Sequence, residues 1–253
     1  MRARQRHLNK SLRDTACAFD SRFLSGFSDG NEVDTWTDLS ANGRNATQST
    51  SANRPLYKTA IQGGNPVVRF DGSNDVLTTG SFDSPSSVSA IMVAKADAWT
   101  SPTSFYRSLA AHGYGTGVPE TSGIALCYLA YAGVIDWQIG DLMSWGSGYQ
   151  STSNPRAIGP TSSGSNFRIV STVFWPSLSR MYVNGVQTST RKETTGTIAA
   201  FTRIFYIGSS GESVSRYWVG DIAAVIYFPS NIGEPMRARI ERSNALAFKI
   251  ACS

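Results

Sequence analysis

Seven short segments recur along the chain, each rich in Val, Ile, Tyr or Phe and each closed by a cluster of turn formers: "PVVRFDG" (66–72), "SVSAIMVAKA" (87–96), "SGIALCYLAYAG" (122–133), "NFRIVSTVFW" (166–175), "SRMYVNGVQTST" (179–190), "FTRIFYIGS" (201–209) and "GDIAAVIYF" (220–228). Runs of this length and composition, punctuated this often, read as strands and leave little room for helix. The strongest local signal is "MYVNGVQ". Asn184-Gly185 sits between alternating apolar residues, and both turn positions tolerate positive φ, so a two-residue type I′ hairpin is predicted there. After "FPSNIGEP" the pattern changes. Pro235 suits a first helical turn, and Met236, Ile240, Ala247 and Ile250 approximate one apolar face, which predicts a closing helix packed on the sandwich.

A length of 253 residues fits one large all-β unit as well as two small domains, and a single domain is expected. Apolar residues make up 41% and charged residues 16%, enough for a sizeable core and unlike a disordered chain. The net charge of +5 is unevenly spread. Arg2, Arg4, Arg6, Lys10 and Arg13 precede the first acid, Asp14, so the body is near neutral and residues 1–17 read as a basic arm ahead of a domain over residues 18–253. Such an arm suits an acidic protein neighbour, an anionic membrane or nucleic acid, or is simply a solvated terminus. An anchoring role, with Leu8, Leu12 and Phe19 at near-helical spacing, is the expectation carried forward.

The basic start is not followed by an apolar stretch of signal-peptide length, and no run approaches a membrane span, so a soluble chain outside the ordinary secretory route is expected. Cys17, Cys127 and Cys252 are odd in number and far apart. They form neither a disulfide framework nor a metal knuckle, and buried free thiols are expected.

Catalytic patterns are hard to find. Only six Glu occur, and the one with an acid two residues away is Glu32, whose partner Asp34 lies in a turn-rich region. Asp136 and Asp141 are five apart, so on one strand they would face opposite sides about 16 Å apart, too far for a glycosidase pair. His7 falls in the arm, and His112 has no neighbouring Cys or acid in sequence with which to form a triad or metal motif. "GYGTG" at 113–117 lacks the Lys-Ser/Thr of a phosphate-binding loop. No enzyme is expected. Sugars are held by aromatic faces beside a few polar groups, and Trp99, Tyr106, Tyr114, Trp145 and Tyr149 lie in Gly/Ser-rich surroundings such as "SWGSGYQSTSNPR". Taken singly, each reads as a core residue before a ligand contact. As a group Trp99, Tyr114, Trp145 and Tyr149 are the candidate ligand face, and the same residue types would serve a protein interface.

In order, "TWTDLSANGRNATQSTSANRPLYKT", "NPVVRFDGSNDVLTTG", the "MYVNGVQ" hairpin, "RIFYIGSSG" and "YWVGDIAAVIYF" before a closing helix resemble the laminin-G-like, concanavalin A-like lectin/glucanase jelly rolls of bacterial surface proteins and tailed-phage structural proteins, over roughly residues 18–250. The resemblance implies an all-β, two-sheet antiparallel jelly-roll sandwich with a glycan-binding or adhesive role, sometimes a structural calcium, and usually no catalysis. The Glu-x-Asp-x-Glu run of the glucanase branch is missing. In the loop after Trp36, Asp38, Asn42, Gly43 and Asn45 can close the fold with no ligand. The alternative is a calcium site using Asp38 or Asp71. Calcium-binding relatives often carry an acid just after the "GDI"-like start of the last strand, where this sequence has Ala223-Ala224, and no other cofactor is expected. The resemblance and the arm together suggest a virion structural protein, a head decoration or a fibre- or tail-associated jelly roll. Its partners would be capsid or tail proteins, a cell-surface glycan and copies of itself, rather than membrane or nucleic acid. The alternative is a free carbohydrate-binding lectin.

Overall fold

The computed structural model describes residues 14–84, 87–97, 106–113, 122–131, 134–139, 143–144, 158–161, 166–175, 178–191, 201–209, 211 and 217–253. In chain order the strands are β1 (Cys17–Asp20), β2 (Thr35–Trp36), β3 (Ala46–Thr47), β4 (Leu56–Gln62), β5 (Asn65–Asp71), β6 (Leu77–Thr78), β7 (Phe82–Ser84), β8 (Val88–Ala96), β9 (Tyr106–His112) and β10 (Ser122–Tyr131). There follow β11 (Val134–Ile139), β12 (Met143–Ser144), β13 (Ile158–Thr161), β14 (Arg168–Trp175), β15 (Leu178–Val183), β16 (Val186–Arg191), β17 (Phe201–Arg203), β18 (Phe205–Ile207), β19 (Val219–Phe228) and the helix α1 (Gly233–Phe248).

The fold is all-β with one closing helix. One sheet runs β16-β15-β14-β8-β19-β5-β4, with β1 also on β19; the other runs β13-β11-β10-β9-β18-β6-β3-β2, with β12 on β10. The strand pairings are antiparallel. Val68, Phe70, Met92, Val225 and Tyr227 of the first sheet meet Trp36, Leu77, Leu109, Phe205 and Ile207 of the second in one buried cluster, which is the sandwich core. A second cluster lies on the outer face of the first sheet, where Val67, Ile91, Val93, Ile169 and Ile226 pack under Ile240, Ala245 and Phe248 of α1. The first sheet is therefore covered on both faces, and its central strand β19 is buried along nearly its whole length. At its start Asp221, with no exposed surface, accepts from Arg69 (2.6 and 3.1 Å) and pairs with Lys95 (3.1 Å). These residues face one another in register across β5, β19 and β8, so one carboxylate ties three strands.

The expected hairpin is present. Asn184 and Gly185 have φ of 50° and 87°, both positive as a type I′ turn requires, between the paired Val183 and Val186. Gly185 is needed for a second reason. A Cβ there would fall 2.3 Å from the Ser253 carbonyl oxygen, because the C-terminus folds back to donate from Ser253 N–H to Asn184 O (3.1 Å). Cys17 is a free, buried thiol, whereas Cys252, in this returning tail, is only half-buried.

The helix departs from its expected face. Ile240 is buried, but the inward side is completed by Arg237, Glu241, Asn244, Ala245 and Phe248, while Met236 and Ala247 are only partly covered. Lys249 turns left-handed at φ 51° and ends the helix, so Ile250 reaches the outer cluster from the tail. Polar residues can face inward here because Arg237 pairs with both Glu234 and Glu241, and Asn244 donates to Ile240 O. The helix C-terminus is fixed to the β4–β5 hairpin, whose Gln62 and Asn65 amides donate to the Phe248 and Ala247 carbonyls, each at 2.7 Å. Among the described residues no helix is long and apolar enough to cross a membrane.

Phe248 is fully buried and Leu246, two residues earlier, is 75% exposed. Urea denaturation should therefore find Phe248→Ala destabilised by about 3–5 kcal/mol and Leu246→Ala unchanged within about 0.5 kcal/mol. Similar losses for the two would mean that α1 is not seated as described.

Candidate functional site

The loop after Trp36 is built around one carboxylate. Asp38 Oδ1 accepts from the backbone N–H groups of Ala18 (2.8 Å) and Ser40 (2.9 Å), and Oδ2 from the Ser40 hydroxyl (2.6 Å) and the Arg44 N–H (2.8 Å). Asn45 accepts from Asp38 N–H, Asn42 donates to the Thr15 and Ala16 carbonyls, and Gly43 supplies a positive φ of 63°. The loop thus ties β1 to the second sheet. Asp71 lies elsewhere, at the end of β5, where its Oδ1 accepts from Ser73 and Asn74 N–H groups. Among the described residues no group of three or more His, Cys, Asp or Glu side chains could hold a metal ion.

His112 belongs to the core. Its Nε2 faces two carbonyl oxygens, Phe82 O (3.2 Å) and Arg203 O (3.1 Å), so Nε2 carries the proton and Nδ1 accepts from the Tyr227 hydroxyl (3.2 Å). Phe82 stacks on the ring at 4.2 Å and Phe201 meets it edge-on. Burial lowers its pKa to about 4 and keeps it neutral. Asp75 shows the opposite case. Burial, with the charge of Asp71, raises it to about 6, while its Oδ2 accepts from Asp71 N–H. Both groups are closed off from solvent and occupied by protein partners, which suits structure rather than turnover.

Trp99, Tyr114, Trp145 and Tyr149 lie outside the described residues, as do Arg2, Arg4, Arg6, Lys10 and Arg13 of the arm. The placement of their chain neighbours is informative. In β9 and β10, His112 pairs with Ile124, and in β10 and β12, Ser122 pairs with Ser144. Gly113, which precedes Tyr114, and Ser144, which precedes Trp145, therefore sit at the same end of the second sheet. At that end Gly113 N–H bonds to Ile204 O, the β7–β17 ladder pairs Asp83 with Thr202, and Arg44 lies over Phe82 at 4.3 Å. Trp99 follows Asp97, beyond β8 in the first sheet.

A concavity of about 110 Å³ lies between α1 and the outer face of β14 and β15, and Arg180, Tyr182, Glu234 and Arg237 line it. No local motif announces it, since its halves are some fifty residues apart in sequence. The available signals were the alternation that puts Arg180 and Tyr182 on the same face of β15 and the helical i,i+3 spacing of Glu234 and Arg237.

The sequence matches no protein-family model, and no curated protein is detectably similar to it. Solved structures do share the fold. The Botulinum neurotoxin serotype D binding domain is 12% identical with a TM-score of 0.57, covering 92% of this chain and 51% of its own. The binding domain of Paraclostridial Mosquitocidal Protein 1 is 13% identical at 0.57, covering 86% and 52%. A serotype D ligand binding domain in complex with N-acetylneuraminic acid is 12% identical at 0.55, covering 92% and 52%. The chain thus spans about half the length of each.

The two buried groups predict opposite pH limbs. His112 is depressed, so its contribution is complete above about 6.5 and is lost as the pH falls toward about 4. Asp75 is raised, so its contribution is complete below about 3.8 and is lost as the pH rises through about 6. In unfolding titrations Asp75→Asn should gain on the native chain at pH 7 with the advantage vanishing near pH 3.5, while His112→Phe, weaker overall, should lose less between pH 6.5 and 4. Parallel profiles for all three proteins would contradict these assignments.

Proposed function

We propose that this chain is a non-enzymatic recognition domain that binds carbohydrate at the end of the second sheet from which the segments carrying Tyr114, Trp145 and Tyr149 depart. The observation that carries this reading is the pairing of Ser122 with Ser144 beside His112 and Gly113, which brings the starts of two aromatic-bearing, Gly/Ser-rich segments to one rim of a rigid scaffold. The similarity to toxin binding domains, one of them solved with a sialic acid, supports recognition over catalysis. Because the match covers only half of each toxin domain, the ligand's position there does not transfer to this chain. A rim of aromatic faces flanked by polar groups suits the C–H faces of sugars.

The place of such a domain in a virion, as a decoration or a fibre- or tail-associated protein, rests on the resemblance and on the five basic residues that precede Asp14. Thr15, Ala16 and Cys17 are buried, and Ala16 N–H bonds to Tyr227 O, so an arm deletion that spares the sandwich stops at residue 13.

On a glycan array the intact chain and the chain lacking residues 1–13 should bind the same glycans, and Trp145→Ala should weaken that binding by about tenfold, equivalent to about 1.4 kcal/mol. A blank array, with co-sedimentation of only the intact chain on particles lacking it, would replace recognition by a purely structural virion role.

A further inference from the structure

Arg237 is 3% exposed, an unusual place for a guanidinium, and the structure fixes it on every side. Its plane lies 3.5 Å over the Tyr182 ring, and Glu241, itself buried, forms an ion pair with Nη1 from behind. What remains is a fork. Nε (3.2 Å) and Nη2 donate to the two oxygens of Glu234, and the Tyr182 hydroxyl donates to Glu234 Oε2 (3.0 Å). A planar, preoriented guanidinium with a phenol beside it is a carboxylate receptor, and Arg237 holds the Glu234 carboxyl below the usual carboxylate range. The occupant sits at the solvent edge. Glu234 is on the first turn of α1 and its side chain is 57% exposed, so it can swing outward once these contacts and the attraction of Arg180 are replaced. Arg180 stands on the same wall with its Nε buried and without a hydrogen-bond partner, a donor that Glu234 leaves unused. The cavity has room for a carboxylate with a few further atoms, not for a whole oligosaccharide.

We propose that the groove between α1 and β15 binds the carboxylate of a small acidic ligand, a sugar acid, on Arg237, Tyr182 and Arg180, and that Glu234 is a tethered stand-in which the ligand displaces outward into solvent. Only the choice of a sugar as the source rests on the recognition reading above; the carboxylate site does not. The two sites lie on different sheets, so each can fail alone. A tethered competitor lowers apparent affinity by the fraction of time it occupies the site. If Glu234 is in place about nine-tenths of the time, its removal should tighten binding about tenfold.

The test is an NMR titration of the intact chain, Glu234→Ala and Arg180→Met with sodium acetate, N-acetylneuraminic acid, sodium sulfate and neutral N-acetylglucosamine. Acetate and the sugar acid should both shift amides around Tyr182, Glu234 and Arg237, about tenfold tighter in Glu234→Ala and at least fivefold weaker in Arg180→Met. The neutral sugar should leave those amides unmoved. Glu234 and Arg180 are both partly exposed, so neither variant threatens the fold; unchanged dispersion elsewhere in the spectrum verifies this. Equal affinity of Glu234→Ala and the intact chain overturns the stand-in. Sulfate binding as tight as the carboxylates overturns the carboxylate preference. Acetate binding without the sugar acid overturns the sugar source. A blank glycan array beside intact acetate binding sinks the rim reading and leaves this groove standing.

Discussion

Everything in this fold hangs on β19. "VGDIAAVIYF" does not alternate apolar with polar as a half-exposed antiparallel strand would; it is buried on both faces, a pattern more usual in sheets covered by helices. Such a strand can exist here only because its sheet is sealed twice, by the second sheet on the inside and by α1 on the outside. Its edges are equally committed. One pairs with β8 along the full length, while the other is shared between β5, on Val219 to Ile222, and β1, on Ala224 to Tyr227. A bulge between Ile222 and Ala224 marks the exchange. The start of the described chain, its last strand and its closing helix are thereby joined at one place. Asp221 sets the register there, because a one-residue slip would turn its carboxylate away from Arg69 and Lys95.

How much of this could be read from sequence follows from the length of each element. The long strands β5, β8, β10, β14 and β19 and the Asn184-Gly185 hairpin carry enough apolar, β-branched residues or turn chemistry to be recognised locally. β2, β3, β6 and β12 are two residues each, too short for any periodicity, and they exist because tertiary pairing recruits them. β4 hides differently: Ala60 takes a positive φ of 54° inside it and the register shifts between Lys58 and Gln62, so its exposure pattern never alternates cleanly. In α1 the misleading feature is that Arg237, Glu241 and Asn244 face inward. Hydropathy places charged residues outside, and only the pairing of Arg237 with two carboxylates makes their burial affordable.

The site divides along the same line. Turn chemistry is local, so the roles of Asp38, Asn42, Gly43 and Asn45 in closing a loop could be anticipated from "DLSANGRN" alone. A receptor assembled from Arg180 and Tyr182 on a hairpin and Arg237 on a helix is not local in that sense. Each residue has an ordinary reading by itself, and the meaning appears only when the helix is laid across the sheet.

Two buried ionisable groups show how packing displaces a pKa. Catalysis by acids and bases needs groups whose pKa values are displaced and which also reach a substrate. His112 and Asp75 are displaced in opposite directions, yet both are buried and hydrogen-bonded to protein groups. Their displacement is a consequence of packing and costs stability without exposing a proton to any ligand. The groove at α1 inverts that arrangement: its guanidinium stays charged at any physiological pH, has no proton to exchange, and is presented through an exposed and replaceable carboxylate. The groove so built holds one carboxylate, that of Glu234, on a permanently charged fork.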